Sequence, residues 1–148
     1  MVSLIENRQA RFEFELLDNF VAGLVLQGGE AKMLRGRHGS LAGSHVRIIQ
    51  GKPMLLNAQI PPYPYARNEN YEPKRSRELL LRKSEILKLQ QAQETKGLTL
   101  IPVSIGKEGK YLKLRVAIAR GKKLHDRREG LKRRDLDRQT AADLKRRR

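Results

Sequence analysis

The chain has no cysteine and no tryptophan. Without thiols there is no disulfide framework, no thiolate nucleophile and no Cys-ligated zinc. Aromatic residues are few, three Phe and four Tyr. That disfavours a protein gripping single strands mainly by base stacking, although a few rings suffice for individual stacks. No apolar run is long enough to span a bilayer. The opening residues, 1–11, are too polar for a secretory signal. A soluble cytoplasmic protein is the expectation, with no membrane partner.

Positive charge is abundant. Lys and Arg number 32 against 16 Asp and Glu, giving a formal net charge of +16 and a pI near 10.7 in 148 residues. Self-repulsion of this size is best relieved by a polyanion, so a nucleic acid is the expected partner. The charge is uneven. Residues 120–148 hold 13 Lys and Arg against 5 acids, a net +8 in 29 residues, and the preceding 119 residues share the other +8. The length suits one folded domain. The expected organisation is a body over 1–119 and a basic tail over 120–148.

Alternating apolar residues mark most of the body as strands. Phe12, Phe14 and Leu16 alternate with charged residues across 7–18, and Asp18-Asn19 is a turn pair. A second strand covers 20–27, with Gly23 suggesting a bend. A short helix fits 30–35, and a hairpin fits 44–50 with 54–60 around Gly51-Lys52-Pro53. Prolines 61, 62, 64 and 73 make 61–73 a long polar loop, followed by the basic cluster Lys74-Arg75-Ser76-Arg77. Ser84 is the expected N-cap of a helix whose apolar face holds Ile86, Leu87 and Leu89. Two further strands, 98–105 and 110–119, close the body around a Gly106–Gly109 turn. The whole reads as mainly β: a small closed barrel of about six strands with two or three short flanking helices, one of them sealing an opening. In the last strand Leu112, Leu114, Val116 and Ile118 share one face, leaving Lys113 to point outward.

The tail offers no apolar stripe wide enough for a core-facing helix, and Gly130 weakens helix further. Disorder alone and helix on a partner that screens the charge are expected. At its start, Arg127 and Arg128 suit bidentate phosphate contacts, and Lys122 and Lys123 act as point charges. His125 is either a solvated side chain or an aromatic plane for an unpaired base.

No catalytic constellation is present. There is no Walker-type phosphate loop, and His38, His45 and His125 lack metal-ligand spacing. A non-enzymatic protein without cofactor or metal is expected.

Gly121-Lys122-Lys123-Leu124-His125-Asp126-Arg127-Arg128, following Val116-Ala117-Ile118-Ala119-Arg120, resembles the hallmark of the small protein B, or SsrA-binding protein, family. So do Asn7-Arg8-Gln9-Ala10-Arg11, the run from Gly23 through Gln27-Gly28-Gly29-Glu30 to Lys32, and Arg75-Ser76-Arg77-Glu78-Leu79-Leu80-Leu81. The motifs are collinear from Asn7 to the C-terminus.

The resemblance implies an oligonucleotide-binding-like barrel that binds the tRNA-like domain of transfer-messenger RNA (SsrA). It implies delivery of that RNA to stalled 70S ribosomes for trans-translation. Elongation factor Tu would be met only indirectly, through the aminoacylated RNA, and the protein would be a monomer. Asn7, Leu80 and Lys113 match family positions linked to RNA binding, and Arg75 and Arg77, in the adjoining basic motif, are expected to bind the RNA with them. From the residues alone, Leu80 is at least as well read as a core residue, and Asn7 equally as a turn or cap residue. Gly121, Lys122, Lys123, His125, Asp126, Arg127 and Arg128 would lie at the decoding centre of the small-subunit rRNA, with His125 stacking on a base. Lys132, Arg133, Arg134, Arg138 and Lys145 would follow the empty mRNA channel. Val21 departs from a glutamate usual in the family, and Arg37, Ser40, His45, Glu78 and Arg127 also differ from the common pattern. Composition by itself also admits a generic RNA-binding barrel with an electrostatic arm, or a structural ribosomal protein.

Overall fold

Alternation along the chain becomes antiparallel pairing in a computed structural model, which describes residues 1–122. The elements are β1 (Val2–Glu6), α1 (Arg8–Glu13), β2 (Phe14–Leu24), α2 (Gly28–Arg35), β3 (His45–Ile49), β4 (Lys52–Leu56), β5 (Arg77–Leu80), α3 (Lys83–Glu94), β6 (Leu98–Glu108) and β7 (Tyr111–Gly121). One seven-stranded sheet runs β1-β6-β7-β2-β5-β4-β3. The fold is mainly β with flanking helices, and no described helix is long and apolar enough to cross a membrane.

Four expected boundaries are corrected. Residues 8–13 are helical, not extended: Asn7 caps α1, and Ala10 is buried against Ile101 and Ala119. Packing on the sheet overrides the alternation of the phenylalanines. Asp18-Asn19 is no turn. The register shifts between Leu16 and Asp18, and β2 continues as one strand to Leu24. Such a bulge bends a long strand without ending it. The hairpin turns are Gln50-Gly51, both at positive φ, and Gly109-Lys110. Two-residue turns of this hand match the strand twist. Finally, α3 begins at Lys83 after Arg82, whose N–H donates to the Glu85 carboxylate at 3.1 Å. Ser84 is therefore inside the helix, and Leu87 faces outward.

The main core cluster includes Phe20, Leu34, Leu55, Leu79, Leu89, Leu100, Leu114 and Val116, and a smaller one holds Ala10, Ile101 and Ala119. Each buried Leu of this kind contributes about 1.5–3 kcal/mol of transfer free energy. The inward phase of Leu112, Leu114 and Val116 on β7 therefore forces Lys113 and Arg115 onto the other face.

The hydrogen-bonded order ends at β1 and β3, which do not pair with each other, so the ladder is not closed. Instead α3 packs on both β3 and β6. From α3 the Gln93 amide reaches the edge of β3. Its Oε1 accepts from the Ile48 N–H at 2.8 Å, and its Nε2 donates to the Ile48 carbonyl at 3.1 Å. One side-chain amide thus occupies edge groups that a neighbouring strand would otherwise take.

Candidate nucleic-acid interface

Register places three residues from distant parts of the chain in one row. Lys113 on β7 is opposite Gly23 on β2, and Gly23 is opposite Leu80 on β5. Leu79 points into the core at 1% exposure, so its neighbour Leu80 must point out, and 58% of it is exposed. Leu80 is thus not a packed core residue. Lacking a Cβ, Gly23 lets Leu80 lie down over the strand: an added Cβ would sit 3.2 Å from that of Leu80.

Beside the row lies a groove of about 350 Å³, lined among others by Leu24, Leu26, Arg35, Lys110, Tyr111 and Lys113. Tyr111, 62% exposed, lies two residues before Lys113 on the same face of β7. The Lys110 and Lys113 ammonium groups lie 6.0 and 5.9 Å from its ring centroid. From α2, Arg35 donates to the Lys110 carbonyl at 2.9 Å, which brings a guanidinium to the rim. In the next row Val21 is exposed opposite Arg115, so that position offers an apolar surface and no carboxylate acceptor. An exposed ring, an exposed leucine and several cations together fit a folded RNA: phosphates at the cations, a base or ribose on the apolar surface. Tyr111, Arg35 and Lys110 were not among the residues expected from sequence. The available signal was the shared outward phase of Tyr111 and Lys113.

Arg77 and Arg75 occupy a different place. The Arg77 side chain is fully buried and holds the buried Glu30 of α2 through Nε at 2.8 Å and Nη2 at 2.6 Å. It also donates to the Ala58 carbonyl and, at 2.9 Å, to that of Pro73. Arg75 forms a second ion pair with Glu30. The Tyr71 hydroxyl joins them, 3.0 Å from Glu30 and 2.8 Å from the Ile60 carbonyl. A buried carboxylate requires this much compensation. Burial pushes the Glu30 carboxyl up, but hydrogen bonds from Arg75, the Gln27 N–H and Arg77 outweigh it, and the net shift is downward. Burial and the Glu30 charge raise the Tyr71 hydroxyl. Arg77 therefore has no surface left for RNA, and with Arg75 it ties the 57–76 segment to α2.

Asn7 is also internal. Its side chain accepts from the Ala10 N–H at 3.3 Å and donates to the Pro102 carbonyl at 2.8 Å. Of its sequence readings, RNA contact, turn or cap, the cap describes its geometry. At the other end of the described chain, Arg120 and Gly121 pair with Glu15 and Phe14, so the sheet continues two residues past Ala119. The Lys122 N–H donates to the Glu13 carbonyl at 3.0 Å, and its ammonium donates to the Arg11 carbonyl at 3.3 Å. Lys122 is thus attached to α1. Lys123, His125, Asp126, Arg127, Arg128, Lys132, Arg133, Arg134, Arg138 and Lys145 lie outside the described residues, as do the expected disorder and induced helix of the tail. Among the described residues no cluster of His, Asp or Glu could hold a metal ion.

Comparison with known proteins shows the family. Residues 4–146 match the family model described as SmpB protein. The chain is 46% identical over 144 residues to the SsrA-binding protein of Bartonella tribocorum, covering 97% of this chain and 91% of that one. It is 51% identical over 136 residues to the SsrA-binding protein of Chlorobium phaeovibrioides, covering 91% and 87%. A solved structure described as "tmRNA-SmpB: a journey to the center of the bacterial ribosome" superposes with a TM-score of 0.69 at 39% identity, over 85% of this chain and 92% of that one. With nearly its whole length matched by the family model, the chain belongs to the SmpB protein family.

Proposed function

We propose that this protein binds the tRNA-like domain of SsrA, the transfer-messenger RNA, and delivers it to stalled ribosomes for trans-translation. It is an RNA-binding adaptor, not an enzyme. The observation that carries this reading is the Lys113–Gly23–Leu80 row beside Tyr111, an outward cationic and apolar surface on a member of the SmpB family.

Within that function Leu80 and Lys113 contact the RNA, and Asn7, Arg75 and Arg77 position the elements around the contact. The sheet acts as an oligonucleotide-binding-like barrel; support comes from the packing of α3 across the seam between β3 and β6. Lys122 fixes where the tail leaves the body. From Lys123 through His125, Asp126, Arg127 and Arg128 the chain serves the decoding centre. Lys132, Arg133, Arg134, Arg138 and Lys145 follow the vacant mRNA channel, where the tail becomes helical. Support is the charge of the segment, +8 in 29 residues, which suits an rRNA-lined channel. The ordering cost arises only when the channel is empty, which makes engagement conditional. The protein works as a cytoplasmic monomer, a state favoured by repulsion between copies of net charge +16. Elongation factor Tu is reached only through the aminoacylated RNA.

Capture of the tagged full-length protein at moderate salt, followed by sequencing of the bound RNA, tests the reading. SsrA should dominate over tRNA and rRNA fragments. Indifferent capture of structured RNAs would replace it with a generic RNA-binding role.

A further inference from the structure

The loop that follows β4 carries a second aromatic surface. Tyr65 is 88% exposed, and its ring meets that of Tyr63 edge-on, with centroids 5.5 Å apart and planes at 67°. The Lys32 ammonium lies 5.0 Å from the Tyr63 centroid. Next to them is a recess of about 210 Å³ that Arg67 also lines. An aromatic side chain this exposed contributes little to the fold. A cation over its neighbour, and Arg67 in the wall of the adjoining recess, give the surface the composition of a nucleotide-stacking site.

The loop is held in place. Asn68 donates to the Tyr63 carbonyl at 2.8 Å, and the Tyr71 hydroxyl is fastened to Ile60 and to the buried Glu30–Arg77 pair. Gly29 admits Tyr63 against α2, since a Cβ there would lie 3.0 Å from that of Tyr63. Tyr63 is thus held in place with Tyr65 against its edge, which lowers the ordering cost of stacking. This surface also has a fixed relation to the first one. It adjoins the N-terminal turn of α2, whereas Arg35 near the C-terminal end of α2 reaches the Tyr111 groove. The eight residues of α2 span roughly 12 Å.

We propose that Tyr63 and Tyr65 form a second base-stacking station for the same SsrA RNA. Tyr65 stacks on an unpaired base, Lys32 and Arg67 take the adjoining phosphates, and α2 sets the spacing from the station at Tyr111. This rests on the reading of the protein as an SsrA-binding adaptor.

The test measures affinity of full-length variants for the isolated SsrA tRNA-like domain across a salt series. Tyr65→Ala should weaken binding roughly 5- to 100-fold with little change in salt slope. Tyr65→Phe should restore it to within about twofold, since the ring and not the hydroxyl is used. Lys32→Ala should reduce the slope by about one unit. Full affinity in Tyr65→Ala, with loss in Lys113→Ala, would overturn the second station and leave the proposed function standing. Retained RNA affinity with lost ribosome association in Tyr65→Ala would also overturn it and assign the rings to rRNA. Wild-type protein that failed to prefer SsrA would refute the function itself. Thermal melts establish that each variant is folded; Tyr65 is too exposed for its truncation to disturb the core.

Discussion

Leu80 lies across Gly23, so close that a Cβ on the glycine would come within 3.2 Å of the leucine Cβ. Replacing Gly23 by Ala should leave the protein folded, because a shift of a few tenths of an ångström in Leu80 relieves the contact. The displaced leucine should lower SsrA affinity by about three- to tenfold, roughly 1 kcal/mol. Binding titrations beside thermal melts would check this; a large fall in melting temperature with unchanged affinity of the folded protein would contradict it.

Neighbouring leucines should behave in opposite ways. Leu79→Ala removes a buried side chain and should cost about 2–5 kcal/mol of stability. Leu80→Ala should cost less than about 1 kcal/mol, because 58% of the residue is already in water, and should instead weaken RNA binding. Chemical denaturation and RNA titration of both variants separate the two outcomes.

Lys113→Ala should weaken SsrA binding and lower the slope of log affinity against log salt by about one unit. An unaltered slope would remove Lys113 from the set of phosphate contacts.

Glu30 links pH to stability. Its carboxyl is lowered from an ordinary value of 4.5, so its contribution is fully present above that value and is lost as pH falls through the lower folded one. Glu30→Gln would leave the buried Arg77 without its counter-charge and should cost about 3–5 kcal/mol at neutral pH. The gap between variant and wild type should narrow below about pH 4. A gap that stayed constant in melting curves from pH 7 to 3 would contradict the ion-pair account.

Asn7→Ala offers a test of position against contact. Loss of the cap and of the bond to the Pro102 carbonyl should cost about 2 kcal/mol. SsrA affinity of the folded protein, measured well below the melting temperature, should be unchanged. Reduced affinity with an intact melting temperature would make Asn7 a direct RNA contact.

Removal of residues 124–148 should leave the fold and SsrA binding nearly intact while abolishing tagging on a message without a stop codon. The remaining chain keeps every residue of the groove and the Lys122 attachment to α1. Loss of RNA binding with retained tagging would reverse the division of labour.

Local pattern was enough for some of this. The alternation of Leu112, Leu114 and Val116 already turned Lys113 outward, and the run of motifs from Asn7 to the tail already pointed to the family. Two of the expected strands proved to be one, and β1 and β5 were added. The four residues of β5 carry too short an alternation to be read beside a basic cluster. Helix α1 was hidden behind alternating phenylalanines, and the Asn7 that caps it is held by a bond to Pro102, 95 residues away.

What the sequence alone determined is the partner's charge, the outward phase of Lys113, the composition break near Arg120 and the family motifs. Tertiary structure alone decided that Leu80 is exposed and that Arg77 is buried on Glu30, 47 residues earlier. It also decided that Lys113, Gly23 and Leu80 share one row. The reason is physical. Periodicity along a strand reports which face a residue takes, a property of immediate neighbours. Which strands meet, and which buried charge finds its counter-charge, depends on how distant segments pack together.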